Sequence, residues 1–142
     1  MKSKLKLVIF FVLCCFSFTL SASEDQRQLV KLPEMMQTHM LSNMRNHLYT
    51  INEILNLMGK GELDKAADLA ESNLGMSSLD KHGASHLAMY MPKAMQKIGT
   101  GMHHAASRFA LKAQEGDALA AYKSLGNVTA KCVECHAGYR IR

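Results

Sequence analysis

The apolar residues of this chain recur mainly at steps of three and four, the spacing that aligns them along one face of an α-helix. The pattern predicts four helices, over residues 33–58, 62–73, 92–115 and 118–136. Pro33 and Pro92 are expected at first helical positions, and Gly59 is expected to end the first helix. No segment alternates with the period of two of a half-buried strand. We therefore predict an all-α, antiparallel four-helix bundle whose core can hold a cofactor.

The same spacing predicts which side of each helix faces the core. On the first helix these residues are Met36, Met40, Met44, Leu48, Ile51, Leu55 and Met58. On the last helix they are Leu119, Tyr122, Leu125, Thr129, Cys132 and His136. Asp117 is the expected N-cap of that last helix. Residues 76–91 have no clear period, so we expect a connection there with a short helical turn.

The N-terminal residues have the pattern of a secretory signal peptide. Three lysines precede an apolar run over residues 7–20, and small residues follow it. The run is shorter than the roughly 20 residues that span a bilayer, so we expect cleavage after Ser23 and no membrane span afterwards. Cleavage also removes Cys14 and Cys15. The prediction is a signal peptide over residues 1–23, one domain over residues 24–142 and a periplasmic location.

The charge that remains after cleavage gives little indication of a partner. Fourteen basic and 12 acidic residues remain, a net charge of +2. These charges are scattered singly, as on a solvated surface. No basic patch with interleaved aromatic residues suggests nucleic acid binding.

The candidate chemistry lies near the C-terminus, in the sequence Cys132-Val133-Glu134-Cys135-His136. Two cysteines three apart, followed at once by histidine, form the c-type haem attachment signature, in which the thiols bond to the haem vinyl groups and the imidazole ligates iron. On a helix all three side chains share a face. A thiol redox pair and half of a zinc site are the alternatives. Export and the lack of another cysteine pair in the mature chain favour haem.

The segment from Cys132 to Arg140 at the end of a four-helix chain resembles the class II c-type cytochromes, the cytochrome c-prime family, whose ending is C-x-x-C-H-x-x-[Tyr/Phe]-Arg. The resemblance implies one haem c, attached covalently near the C-terminus of the last helix. It implies His136 as the proximal iron ligand with Arg140 close to it, four residues further along if the helix continues. Family members are often dimers, so a homodimer is also implied.

The family divides on the distal side of the haem. One branch leaves iron five-coordinate and open to small gases, and a low-spin branch places a methionine of the first helix on iron. The segment from Met40 to Asn46 looks like the low-spin branch, with Met40 at the ligating position and Met44 as the alternative. Methionines at helical spacing are also common core fillers. A bis-histidine site through His47 is a further alternative.

We therefore expect a periplasmic monohaem electron carrier that passes electrons between partner proteins and is not an enzyme. The alternative is a five-coordinate cytochrome that binds nitric oxide or carbon monoxide. A copper-handling protein and a thiol oxidoreductase are weaker alternatives, since the methionines follow inward stripes and no βαβ pattern surrounds the cysteines. The histidines other than His136 are expected at the surface or in hydrogen bonds. Gly99 and Gly101 are expected where a flat cofactor approaches the backbone.

Overall fold

The computed structural model describes residues 24–142, which are mostly helical. Within them the long helices are α1 (Glu34–Gly59), α2 (Leu63–Asn73), α4 (Lys93–Gln114) and α5 (Ala118–Gly138). The connection between α2 and α4 contains a 3-10 turn, Met76–Ser78, and a short helix, α3 (Ala84–Ala88). The expected helical fold with four long helices is thus confirmed. None of the described helices combines the length and the hydropathy needed to cross a bilayer. The predicted signal peptide, with Cys14 and Cys15, lies outside the described residues.

The helix ends follow local chemistry, with one small correction. Pro33 and Pro92 stand just before α1 and α4, because their ψ angles of 146° and 144° are extended rather than helical. Asp117 caps α5 as expected, since its carboxylate accepts hydrogen bonds from the backbone N–H groups of Leu119 and Ala120. Gly116 adopts a φ of 81° in the short link before α5, a conformation that costs glycine little.

The main core lies where α4 packs against α2 and α5, with α1 against α2. Its largest fully buried apolar side chains are Phe109, Ile54, Leu74 and Val128. Alanines fill much of the remaining contact and let the helix backbones approach closely: Ala66, Ala67, Ala70, Ala105, Ala106, Ala113 and Ala121. Buried residues on α2 and α4, among them Ala66, Ala70, Met102, Ala105 and Phe109, recur at helical steps of three and four. The core therefore holds the helices together by burial of small and medium-sized apolar groups.

The inward face of α1 agrees with the prediction at Met40 and Met58, which are buried, and differs from it elsewhere. Met44, Leu48 and Leu55 are 37%, 73% and 42% exposed, and we call these three residues the α1 stripe. The buried side of the helix lies about one residue's rotation away and includes two polar residues, Asn43 and Thr50. On α5 the prediction is confirmed for Leu125, which is buried, and wrong for Leu119, Tyr122 and His136, which are exposed. Ala121 and Val128 are buried on this helix instead. On α1 the hydropathy pattern placed the inward face incorrectly because polar side chains occupy interior positions.

A two-stranded parallel pair, which the sequence pattern did not predict, joins two distant parts of the chain. Strand β1 (Gln28–Leu29) pairs with β2 (Tyr139–Arg140), which directly follows α5. The Val30 backbone N–H extends the pairing by donating to the Arg140 carbonyl at 2.8 Å. The pair supports a second, smaller apolar cluster, whose buried members are Val30, Met40, Leu87 and Met95.

Replacing Phe109 by alanine should test the main core. We expect the free energy of unfolding to fall by about 3–5 kcal/mol, because a fully buried aromatic side chain leaves a cavity among close-packed helices. Urea denaturation followed by far-ultraviolet circular dichroism measures the change. Leu111→Ala is the matched control on the same helix; its side chain is 63% exposed, so the change should stay within about 0.5 kcal/mol. Equal losses in the two variants would contradict the assigned packing.

Candidate functional site

A cavity of about 500 Å³ lies beside the β1–β2 pair, within the range of roughly 300–1,000 Å³ typical of small-molecule and cofactor sites. Its wall comes from α1, the α2–α4 connection, α4 and the end of α5. It brings together residues that the sequence singled out: Met40, Met44, His47, Gly99, Cys135, His136 and Arg140. Cys132 is not part of the wall and packs half-buried against the main core.

The two cysteines lie in the last turns of α5, on the side that faces the protein. Cys135 packs against the smaller apolar cluster, one turn beyond Cys132, while Val133 and Glu134 are exposed. Neither cysteine forms a disulfide within residues 24–142. Burial raises the pKa of both thiols. Reactive redox cysteines instead have lowered pKa values, often at the start of a helix, so this position gives no support to a thiol oxidoreductase.

Arg140 reaches the cavity by a route other than the predicted one. Helix α5 ends at Gly138, and Tyr139 is extended with a φ of −133° and a ψ of 149°. The expected helical step from His136 to Arg140 is therefore wrong, because strand pairing takes the place of the last helical turn. The Arg140 side chain still lines the cavity. Its Nε is buried and has no hydrogen-bond partner among the described residues.

The two candidate methionines both line the cavity but differ in their surroundings. Met40 is 7% exposed and belongs to the smaller apolar cluster, together with Leu87 and Met95. Met44, one turn further along α1, is 37% exposed. Both methionines are therefore part of the cavity wall, which also includes His136.

Three histidines form a cluster in the same wall, which the sequence analysis did not anticipate. The ring centroid of His47 lies 4.7 Å from that of His82 and 6.2 Å from that of His103, and the last two are 5.4 Å apart. His103 Nδ1 donates to the Leu74 carbonyl at 2.8 Å. Asn43, His47 and Thr50 recur at steps of four and three on α1. This polar stripe could have indicated that α1 contributes polar side chains to the wall of a cavity.

Burial lowers the pKa of His47 and of His82 to about 4, and each is further lowered by neighbouring histidines. The pKa of His103 is lowered as well, mainly by burial. The three imidazoles are therefore neutral at neutral pH. In the part of the chain that the structure describes, no group of three or more His, Cys, Asp or Glu side chains is arranged to hold a metal ion. The copper and zinc alternatives gain no support from this cluster.

The remaining histidines have simpler roles. His39 Nε2 donates to the His82 carbonyl at 2.8 Å, and Asn43 Nδ2 donates to the same carbonyl at 3.0 Å. These bonds hold the connection before α3 against α1. His86 and His104 are exposed, as expected for surface histidines.

The two glycines of α4 differ from each other. Gly99 lines the cavity, and a Cβ atom built there would meet no described heavy atom within 4 Å, so its backbone is open to a flat ligand. Gly101 lies outside this wall, and a Cβ atom at its position would lie 3.6 Å from the Lys131 side chain. Gly99 is thus placed where a ligand in the cavity could approach its backbone, and Gly101 is not.

The charged side chains in the cavity wall have one sign. Arg27, Arg140 and Arg142 line it, and no Asp or Glu does so among the described residues. The rest of the wall is largely apolar, with Met91, Met95, Met102, Leu87 and Ile141 among its residues. Such a wall suits an apolar molecule that carries anionic groups, because guanidinium pairs with carboxylate. Haem has this chemistry, with an apolar macrocycle and two carboxylates, so the residues present fit it.

No protein-family model, no curated protein and no solved structure matches the chain. The resemblance to the class II c-type cytochromes therefore rests on the residues of this chain alone, above all on the segment from Cys132 to Arg140.

The histidine cluster predicts acid sensitivity. The unfolded chain takes up protons on these histidines near pH 6.5, while folded His47 and His82 do so only near pH 4. The unfolded state thus binds more protons between these values, so stability falls as pH decreases from about 6.5 to 4. We expect a loss on the order of 2 kcal/mol between pH 7 and 5, measured by urea denaturation. His47→Gln should reduce the loss, and the exposed control His86→Gln should not. A loss that is the same in both variants would refute this role.

Proposed function

We propose that this chain is a monohaem c-type cytochrome of the four-helix class that carries electrons in the periplasm. The single observation that supports this most is the cavity, because Cys135 and His136 line it together with Met40 and Met44 from a helix far away in sequence. A surface thiol pair or a structural zinc site would have no need of a cavity of about 500 Å³ with largely apolar walls.

In this proposal Cys132 and Cys135 hold the haem covalently and His136 is its proximal ligand, with Arg140 nearby. The helices form an antiparallel bundle around it. The links of three residues between α1 and α2, at 60–62, and between α4 and α5, at 115–117, support this arrangement, because short links favour antiparallel neighbours. Cys135 suits covalent attachment because it lines the cavity, and Cys132 lies one turn earlier on the same helix, half-buried against the main core.

The distal ligand in this proposal is a methionine of α1, with Met40 as the first candidate and Met44 as the alternative. Haem bound there supplies a one-electron couple. A thioether ligand raises the reduction potential of this couple relative to ligation by two histidines, and it keeps other ligands from binding the iron. The chain then needs neither a substrate nor a general acid or base. We therefore propose an electron carrier rather than an enzyme, with periplasmic redox proteins as partners.

A five-coordinate cytochrome that binds nitric oxide or carbon monoxide is the second candidate. It is favoured by the packing of Met40, whose side chain is 7% exposed within an apolar cluster and could serve as a cover rather than a ligand. His47 is a third distal candidate, since its Nε2 is buried and has no hydrogen-bond partner among residues 24–142.

Absorption spectra of the mature protein and its variants distinguish these distal sites. We expect the mass of one covalent haem, lost in Cys132→Ser/Cys135→Ser, and a low-spin ferric spectrum with a methionine-to-iron band in the far red. Met40→Ala should convert the iron to high spin, because the sixth ligand is lost. Met44→Ala is the matched control on the same helix and should leave the iron low-spin.

Other results would redirect the proposal. High-spin iron in the unmodified protein that binds carbon monoxide readily would support the five-coordinate candidate. If only Met44→Ala converts the iron to high spin, the distal ligand is Met44, one turn further along α1. If only His47→Ala does so, the iron has two histidine ligands. Absence of covalent haem from the exported protein would overturn the function itself.

We also propose that the chain forms a homodimer through the α1 stripe. Met44, Leu48 and Leu55 lie on one side of α1 and are exposed, although apolar residues at such spacing usually pack against another surface. A second copy of the chain offers the same stripe, as a two-fold interface requires.

Leu48→Lys should therefore convert the dimer to a monomer, because it places a charge in the middle of the apolar stripe. Sedimentation velocity at micromolar concentration measures the change. Tyr49→Lys is the matched control, since Tyr49 is also exposed but points away from the stripe. A monomeric unmodified protein would refute the proposed dimer and leave the haem proposal unaffected.

A further inference from the structure

The segment before α1 runs across the end of the molecule where the cavity lies. We call residues 24–32 the N-terminal strap. Its strand β1 pairs with β2, and the Val30 backbone N–H donates to the Arg140 carbonyl at 2.8 Å. From α1, the Gln37 side-chain amide donates to the Ile141 carbonyl. The Arg27 Nη1 donates to the carbonyl of His136 at 3.4 Å. The strap is therefore attached directly to the segment that contains the predicted iron ligand.

Asp25 holds the arginines of this region in place. Its carboxylate accepts hydrogen bonds from Arg27 Nε at 2.9 Å and Arg27 Nη2 at 2.7 Å, a bidentate pair. Arg140 Nε lies 3.5 Å from the same carboxylate. The hydrogen bonds from Arg27 lower the pKa of Asp25 to about 2, so it is ionised at neutral pH. One carboxylate therefore orients two guanidinium groups.

The guanidinium groups at this end of the cavity outnumber the carboxylates that pair with them. Arg27, Arg140 and Arg142 line the cavity, whereas Asp25 does not belong to its wall. Arg140 Nε is buried without a hydrogen-bond partner in the described part of the chain. The Asp25 carboxylate, 3.5 Å away, already accepts two hydrogen bonds from the Arg27 guanidinium, and a buried donor that lacks a hydrogen bond is costly. An anionic group at this side of the cavity would satisfy it and balance the remaining positive charge.

We propose that Arg27 and Arg140, with Arg142, bind the carboxylate groups of the cofactor, and that the N-terminal strap closes the cavity over them. Asp25 is a positioning residue that fixes the two guanidinium groups. This inference rests on the proposed function, because it names the side chains that recognise the acidic edge of haem. It goes further in assigning a binding role to a strap that lies more than a hundred residues from the cysteines.

The alternative is that Arg27 only ties the strap to α5. The two roles differ in what they recognise. A structural tie would stabilise any ligand in the cavity equally, whereas a carboxylate-binding arginine favours haem over its dimethyl ester, in which both carboxylates are neutral. The comparison of the two ligands therefore separates binding from closure.

The experiment uses the full mature chain with Cys132→Ala and Cys135→Ala, so that haem and its dimethyl ester both bind without covalent attachment. We expect the ester to bind roughly ten- to a hundredfold more weakly than haem, the effect of losing a charged hydrogen bond. Arg27→Gln should weaken haem binding and remove most of this preference. Arg45→Gln is the matched control, because Arg45 is exposed on α1 and outside the cavity wall. A preference that persists in Arg27→Gln would overturn the inference.

A second measurement uses the covalent protein and does not depend on the cysteine variant. The resonance Raman bending band of the haem propionates reports their hydrogen bonding, and we expect it to shift in Arg27→Gln and Arg140→Gln but not in Arg45→Gln. An unmoved band in covalently loaded protein would overturn this inference and leave the proposed function intact. Absence of haem from every form, the unmodified protein included, would instead overturn the proposed function.

Discussion

The fold depends on unequal packing at its two ends. At one end alanines bring α2, α4 and α5 close together around Phe109. At the other end longer side chains and the α2–α4 connection leave a cavity of about 500 Å³ between α1, α4 and the end of α5. The close-packed end supplies stability through buried apolar area. The open end can then keep polar and cationic groups in its wall, which a uniformly packed bundle could not accommodate without cost.

Local features of the fold were predictable because their causes lie within a few residues. The helix start at Asp117 follows from a carboxylate that caps two nearby N–H groups, and the four long helices follow from apolar spacing. The face of α1 was not predictable in the same way. Hydropathy assigns Leu48 to the interior and Asn43 to the surface, but Asn43 is buried, and its side-chain amide donates to the His82 carbonyl. Which side of a helix is buried depends on partners that its own sequence does not contain.

The candidate site likewise contains some residues that could be predicted from sequence and others that could not. Cys132, Cys135 and His136 form a contiguous motif, so they could be found from sequence, and Met40 could be suggested by its resemblance to a family. The contribution of Arg27 could not, because it depends on β1 reaching β2 across the length of the domain. The histidine cluster is similar, since its members come from α1, the connection and α4. Of its three members, only His47 on α1 belongs to a periodic pattern in the sequence, the polar stripe with Asn43 and Thr50.

The β1–β2 pair has a consequence for the order of folding. The helices of the main core are largely neighbours in sequence and can associate early, whereas Arg27 and His136 are 109 residues apart. Contacts of such sequence separation carry a large loop-closure entropy and usually form late. The cavity should therefore stay open on one side while the rest of the domain is already folded. For the proposed cytochrome, this order of folding would leave the cavity and Cys135 accessible at the stage when a large, flat group has to enter.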